Sequence, residues 1–222
     1  WLQYSHKPKQ DKVDTLSKKP LGLPSDDTEI AMIKVKTAKG LIELKCLDLA
    51  TKGCKAEQNN AKWQVTHPVE LTGDSDNVKD FLHNATSLLA TETVDLKEET
   101  PEKRKQLLKE YGLDDDTLTA MNTQFVELDT EDGTRYTAWF GTEHPIGDKF
   151  FVARSVDGTV NDQTIFLISN YFKNNLAKDL TYFRDKTLFT FARGDVESFE
   201  AQTSGGKLSG KKVNGLWEIN GL

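Results

Sequence analysis

The feature that most constrains the fold is a series of short apolar segments separated by turn signals. Lys39-Gly40, Asp132-Gly133 and Asp157-Gly158 each stand between two segments rich in aliphatic and aromatic residues. Glycine tolerates the positive φ angles of tight hairpin turns, so such pairs connect antiparallel strands. A tight turn is also too short for the crossover that a parallel pair requires. The sequence therefore predicts an antiparallel meander sheet.

Two helices are predicted between the strands. The first has apolar residues at helical spacing from Val78 to Leu89, behind candidate N-cap residues in Asp74-Ser75-Asp76. The second begins at Thr100-Pro101 and ends at Tyr111-Gly112-Leu113, where glycine permits a left-handed stop. Hairpins beside two helices predict an α+β fold, with the helix pair packed on one face of the sheet.

The chain is predicted to have an arm, a domain and a partial repeat. Residues 1–28 are rich in Lys, Asp, Ser and Pro and are expected to form a tether or a poorly ordered arm, while 29–222 form the α+β domain. A strand pair at 33–40 followed by Trp63-Gln64-Val65 is echoed by a strand pair at 199–206 followed by Trp217-Glu218-Ile219. Residues 196–222 are therefore expected to begin a second repeat that continues past Leu222. Chance similarity between two hairpins is the alternative.

The charge argues against one class of protein, and the hydropathy argues against a membrane span within these residues. The net charge of −6 argues against a nucleic-acid-binding protein, because phosphate binding needs a clustered positive surface. No run of about 18 apolar residues occurs in these 222 residues, so none of them is predicted to span a membrane. The aromatic start, Trp1-Leu2-Gln3-Tyr4, is interpreted either as the exit end of a membrane helix that lies upstream or as an arbitrary boundary.

The two cysteines are close in sequence. Cys46 and Cys54 flank a short segment that can bring them together, which favours a disulfide bond in an oxidising compartment. They are too few to hold a metal, and no histidine stands near them. Two free thiols without a role are the alternative.

No motif for catalysis, a metal or a cofactor is found. The four histidines are scattered and none has a metal-ligand or catalytic spacing. The stretch 205–212 comes close to a phosphate-binding loop, but Lys212 stands where Ser or Thr would hold magnesium. Asp114-Asp115-Asp116 lacks the supporting ligands of a calcium loop. We expect that the chain is not an enzyme, holds no metal and uses no cofactor.

Three residues are the candidates for contact with a ligand or partner. Arg184 and Asp185 are neighbours on a segment predicted to be extended, so their side chains should point to opposite faces. A structural role for this pair is the alternative, with Arg184 as a fork to a carbonyl or carboxylate and Asp185 as a cap. Trp139 lies in a predicted strand and either packs in the core or binds sugar rings on a sheet face.

Several short motifs, in this order, resemble a known family. They are Trp63-Gln64-Val65-Thr66-His67-Pro68, Tyr111-Gly112-Leu113, Phe140-Gly141, Lys149-Phe150-Phe151-Val152 and Phe183-Arg184-Asp185-Lys186. Together they resemble the uncharacterised repeat domain of bacterial envelope proteins, often encoded beside ABC transporter components linked to gliding motility. The resemblance implies an N-terminal membrane helix and a periplasmic or extracytoplasmic domain, and it implies no catalytic residues.

Three functions are compatible with these patterns. The first is a non-enzymatic extracytoplasmic accessory or scaffold domain, anchored to the inner membrane and associated with ABC transporter or motility components. The second is a carbohydrate- or peptide-binding module that uses a sheet face. The third is a hydrolase whose catalytic residues converge only in three dimensions.

Overall fold

The computed structural model describes residues 17–25, 27–55, 61–120 and 123–220. The chain divides into two compact units, here called unit 1 (Trp1–Asp185) and unit 2 (Lys186–Leu222). Among the described residues, no helix has both the length and the apolar content needed to cross a membrane. The predicted membrane exit at Trp1 to Tyr4 lies outside the described residues.

Unit 1 is built on one ten-stranded sheet in which all neighbouring strands are antiparallel. In chain order the strands are β1 (Ile30–Thr37), β2 (Gly40–Cys46), β3 (Trp63–His67), β4 (Leu71–Thr72), β5 (Glu92–Asp95), β6 (Gln124–Thr130), β7 (Arg135–Glu143), β8 (Lys149–Val156), β9 (Thr159–Val160) and β10 (Thr164–Ser169). Their order across the sheet is β4-β3-β2-β1-β6-β7-β8-β10-β5, with β9 beside β8. The predicted antiparallel meander is confirmed.

The turns follow from residues that accept a positive φ. Between β8 and β9, Asp157 has φ 50° and Gly158 has φ 79°. Positive φ at both central residues defines a type I′ turn, whose twist matches that of the strands it joins. The Asp-Gly signal therefore marks this hairpin correctly.

In the part of the chain that the structure describes, five α-helices accompany the sheet: α1 (Ser75–Thr86), α2 (Pro101–Glu110), and the single turns α3 (Asp115–Leu118), α4 (Lys173–Leu176) and α5 (Leu180–Phe183). Asp74 caps α1 and Thr100 caps α2, each by accepting a hydrogen bond from the backbone N–H three residues on. After α2, Gly112 has φ 66°, and the N–H of Leu113 donates to the carbonyl of Leu108 at 2.8 Å. This left-handed stop satisfies carbonyls that the helix leaves open.

The two longer helices, expected on one face, lie on opposite faces of the sheet. On β8, Phe150 and Val152 belong to the larger core, which contains the apolar side of α1. Phe151 and Ala153 alternate with them and belong to a second core, against which Leu107 and Leu108 of α2 pack. Between the helices the chain forms β5, the edge strand beside β10, so it passes from one face to the other there. The α+β class is confirmed.

Part of the predicted arm packs against the sheet within unit 1. Leu21 and Leu23 are buried in the larger core. Arg154 on β8 holds this segment, because its guanidinium donates to the carbonyls of Lys19 and Pro20, the latter at 3.2 Å. Burial lowers the pKa of Arg154. Residues 1–16 of the arm lie outside the described residues.

Unit 2 contains a three-stranded antiparallel sheet. Its strands are β11 (Ser198–Thr203), β12 (Gly206–Val213) and β13 (Leu216–Asn220), paired in that order. A 3₁₀ turn, Arg193–Asp195, precedes them. The last strand carries the Trp217-Glu218-Ile219 pattern that the sequence relates to Trp63-Gln64-Val65.

Candidate functional site

The backbone of Arg184 and Asp185 is used to hold the chain together. Arg184 follows α5 in an extended conformation and forms an isolated antiparallel bridge with Gly73. The N–H of Asp185 donates to the carbonyl of Thr72 at 2.8 Å. The Arg184 side chain is half-buried and that of Asp185 is exposed. The pair thus ties residues 182–185 to the connection between β4 and α1.

The neighbouring contacts complete a joint, here called the first joint, between residues 182–185 and residues 72–77. Phe183 is fully buried, and its ring meets that of Phe81 on α1 edge-on, with 5.2 Å between centroids. The carbonyl of Phe183 accepts from the N–H of Asp74 at 2.8 Å. Asn77 donates from its side chain to the carbonyl of Tyr182 at 2.9 Å. The first joint therefore fixes the position where α1 begins.

Gly73 lets β3 approach the first joint. Its N–H donates to the carbonyl of Trp63 at 2.8 Å. A Cβ on Gly73 would lie 2.8 Å from that same carbonyl oxygen, closer than Cβ atoms come in proteins. Trp63 itself is buried in the larger core. Two motifs distant in sequence, the one at Trp63 and the one at Phe183, thus meet through this glycine.

A second joint, between residues 111–113 and residues 140–142, holds the end of α2 against the sheet. Tyr111 stacks on Phe151, with ring centroids 4.0 Å apart. The Tyr111 carbonyl accepts from the N–H of Thr142 at 2.8 Å. A Cβ on Gly141 would lie 2.1 Å from that carbonyl oxygen, so only glycine fits. Burial raises the pKa of the Tyr111 hydroxyl, which keeps it neutral.

Trp139 lies apart from the first joint. It is half-buried on β7, packs against the second core and is 4.9 Å from the ring of Phe125. Its indole nitrogen is buried and has no hydrogen-bond partner among the described residues. Because Phe183 belongs to the larger core on the other face, Trp139 does not form one site with Arg184 and Asp185.

The structure contains the disulfide bond that the sequence predicts. Cys46 and Cys54 are bonded, with their Cα atoms 6.1 Å apart, and both are buried. The N–H of Cys54 donates to the carboxylate of Glu29 at 2.9 Å, and the carbonyl of Cys54 accepts from Ile30 at 3.1 Å. The bonded loop is therefore attached to the start of β1.

The sequence from β3 onward matches one protein family. The family, described as Domain of unknown function (DUF4340), matches residues 63–221, which is most of the chain. The chain belongs to the DUF4340 family. No curated protein and no solved structure matches it.

The DUF4340 match begins at Trp63 and includes both joints. Sequence reasoning found the motifs, Phe140-Gly141 among them, but it missed Gly73 and did not predict that the motifs meet at Gly73 and Gly141. A glycine beside or within a predicted strand is the available signal, since it often marks a close approach of two backbones. The motif residues of this DUF4340 chain therefore form contacts between segments that are distant in the sequence.

A cavity of about 300 Å³ lies beside α2. Its lining is mainly charged: Pro101, Arg104, Lys105, Leu108, Asp114, Asp115, Asp116 and Asp162. Arg104 pairs with Asp162 at 3.2 Å, and Asp114 accepts from the hydroxyl of Thr117. In the described part of the chain, no three His, Cys, Asp or Glu side chains are placed to hold a metal.

The carboxylates with shifted pKa values are stabilised in their charged form. Hydrogen bonds from Lys149 to Glu92 and from Lys39 to Asp179 lower the pKa of each carboxyl. A hydrogen bond from a threonine hydroxyl lowers the pKa of Asp132. A general acid needs the opposite shift, because it must hold its proton near neutral pH. The lowered pKa values of these three carboxyl groups instead suit surface ion pairs and hydrogen bonds.

Proposed function

We propose that this DUF4340 chain is a non-enzymatic extracytoplasmic accessory or scaffold domain, which works by binding other proteins of the cell envelope. The observation that carries the proposal is the high share of exposed apolar side chains in unit 2. Unit 2 is about one sixth of the chain. It nevertheless contains half of the large hydrophobic side chains exposed among the described residues: Leu188, Phe189, Phe191, Leu216, Trp217 and Ile219. Concentrated exposed apolar groups are typical of protein–protein contact sites.

The buried disulfide supports an extracytoplasmic location. Disulfide bonds persist in oxidising compartments and are rare where glutathione and thioredoxin keep thiols reduced. The bond between Cys46 and Cys54 lies inside the larger core, so the fold of unit 1 includes it. The proposed protein is also anchored in the inner membrane through an N-terminal segment.

The use of the motif residues supports a non-enzymatic role. Phe183 and Gly141 are occupied by contacts within the chain, and the Arg184 backbone bridges Gly73. The association with ABC transporter or motility components rests on the resemblance of these motifs to the envelope repeat domain.

Site-specific photo-crosslinking in intact envelopes tests the proposal. A photoreactive residue replaces Trp217 in unit 2, and the matched control replaces Ile146, an 80% exposed apolar residue of unit 1. We expect discrete crosslinked envelope proteins, transporter components among them, from position 217 and none from position 146. Equal or absent crosslinking at the two positions would contradict the binding role.

Trapping of free thiols in the same cells tests the compartment. Cys46 and Cys54 should resist alkylation until a reductant is added. Two thiols that react at once in intact cells would place the chain in a reducing compartment instead.

A further inference from the structure

The two hairpins that precede the Trp strands close on the same turn. In unit 1, Thr37 pairs with Gly40, and in unit 2, Thr203 pairs with Gly206. The glycines have similar and unusual φ angles, 135° for Gly40 and 142° for Gly206. The turn therefore provides a common origin from which the positions of both sheets can be compared.

Counted from that turn, the third strands are in the same register. Trp63 pairs with Cys46 and Trp217 pairs with Lys212, and each partner stands the same number of positions after its turn glycine. The aliphatic residues two positions later also agree, since Val65 and Ile219 pair with equivalent residues of β2 and β12. Up to these positions the strands β11 to β13 thus repeat the pairing of β1 to β3, which similarity of turn sequences alone does not require. The two sheets differ after Val65, where a bulge shifts the register between β2 and β3.

In unit 1 the apolar face of this three-stranded element is covered by α1. The buried side chains of this element include Ile33, Val35, Ile42, Leu44, Cys46, Trp63 and Val65. The same core contains the apolar stripe of α1, formed by Val78, Phe81, Leu82 and Ala85. The sheet face and the helix stripe therefore bury each other.

In unit 2 the equivalent face is mainly apolar and only partly covered. It consists of Phe199, Ala201, Leu208, Gly210, Lys212, Trp217 and Ile219, of which Phe199 and Leu208 are half-buried and Gly210 is buried. Trp217 is 42% exposed and Ile219 is 59% exposed. The Phe199 ring lies over Gly210, where a Cβ would come within 2.4 Å of it, and reaches to 5.5 Å from the ring of Trp217.

The other face of the same sheet has a different chemistry. Glu200 and Lys207 form an ion pair at 2.8 Å there, and Lys211 pairs with Glu218 across β12 and β13. Because side chains alternate along a strand, the sheet has one mainly apolar face and one face with these charges, on which Leu216 is also exposed. Trp217 and Ile219 are on the mainly apolar face, which water solvates poorly.

We infer that the apolar face of unit 2 docks one amphipathic helix of a partner protein, in the position that α1 takes in unit 1. The helix carries apolar residues at i, i+3, i+4 and i+7, like Val78, Phe81, Leu82 and Ala85. It also carries an acidic residue for Lys212, which stands on the apolar face where unit 1 has the buried Cys46. This inference rests on the proposed role in protein binding and names the kind of partner.

A peptide of residues 74–90, which contains α1, is the probe. A side-chain lactam on its polar face stabilises the helix, and fluorescence anisotropy measures binding to the complete chain. We expect saturable binding that Trp217→Ser weakens at least tenfold. The matched control is Leu216→Ser, in the same strand but on the other face and 75% exposed, which should change the affinity less than twofold. A peptide with Phe81→Asp should not bind.

Several results would overturn the inference. They are absence of saturable binding, equal binding to the Trp217→Ser variant, and dimers of the free chain that Trp217→Ser abolishes in sedimentation. Flotation with anionic lipid vesicles that depends on Trp217 would make a membrane surface the occupant. Shielding of Trp217 from acrylamide in the purified natural protein would place the covering segment in the same polypeptide.

Failure of the inference can be separated from failure of the proposed function. If the photoreactive residue at position 217 captures envelope proteins but the peptide does not bind, the binding role stands and the helix is wrong. If neither experiment gives a signal, both fail.

Discussion

Replacement of Gly141 by alanine tests whether the family motifs act as joints. The new Cβ would lie 2.1 Å from the carbonyl oxygen of Tyr111, against an ordinary contact of at least 3.4 Å. The carbonyl must therefore retreat by roughly 1.3 Å. That movement breaks the hydrogen bond from the N–H of Thr142, which is 2.8 Å long.

The expected loss can be estimated from these two effects. Overpacking of this kind costs about 1–3 kcal/mol, and a lost hydrogen bond costs about 0.5–1.5 kcal/mol. The lower entropy of the unfolded alanine chain returns about 0.4–1 kcal/mol. We expect Gly141→Ala to lower the free energy of unfolding by about 2–3 kcal/mol, or Tm by roughly 5–10 °C for a chain of this size.

Urea unfolding followed by far-UV and near-UV circular dichroism measures the change. The matched control is Gly194→Ala, because a Cβ there meets no atom within 4 Å and the backbone φ is not positive. The control should be within about 1 kcal/mol of the parent chain, on the stabilising side. A Gly141→Ala chain as stable as the control would refute the idea that the second joint depends on this close approach.

Three further changes have expected outcomes. Replacing both Cys46 and Cys54 by serine should lower the free energy of unfolding by about 2–3 kcal/mol, measured without reductant, because the short unfolded loop is no longer closed. Phe183→Ala should cost about 3–5 kcal/mol in urea unfolding, since the fully buried ring leaves a cavity beside Phe81. The lowered pKa of Asp132 stabilises the fold above its unfolded pKa, and this contribution disappears as pH falls through the folded pKa. Asp132→Asn should therefore be less stable than the parent at neutral pH and equal to it in acid; a difference that persists in acid would contradict this.

Local features of the fold could be predicted because their causes are local. The caps Asp74 and Thr100 and the turn at Asp157-Gly158 depend on a few neighbouring residues, so the sequence pattern identifies them. The face that each helix covers depends on distant contacts instead. Both α1 and α2 have an apolar side, but β5 separates them in the chain and lies at the edge of the sheet. The apolar pattern of α2 therefore does not show which face of the sheet this helix covers.

The candidate site was predictable only in part for the same reason. The motif at Phe183 attracts attention as a polar pair, Arg184 and Asp185, yet its fixed contacts are backbone bonds to residues more than a hundred positions earlier. The sequence pattern marks Glu29 only as the start of the folded part. Its burial beside Cys54 follows from the disulfide loop folding over β1, which a sequence pattern does not show.

The side chains of the unit 2 sheet indicate that its apolar face is more than a leftover of a hairpin duplication. An uncovered face has no need of large apolar groups, because polar residues there are better solvated. On this face a larger side chain on one strand instead accompanies a smaller one on the neighbouring strand. Phe199 stands where unit 1 has Ile33, and Gly210 stands where unit 1 has Leu44. The larger ring fills the space that the glycine leaves and meets Trp217 across β12. Compensating exchanges of this kind are typical of packed cores, in which the total side-chain volume is kept.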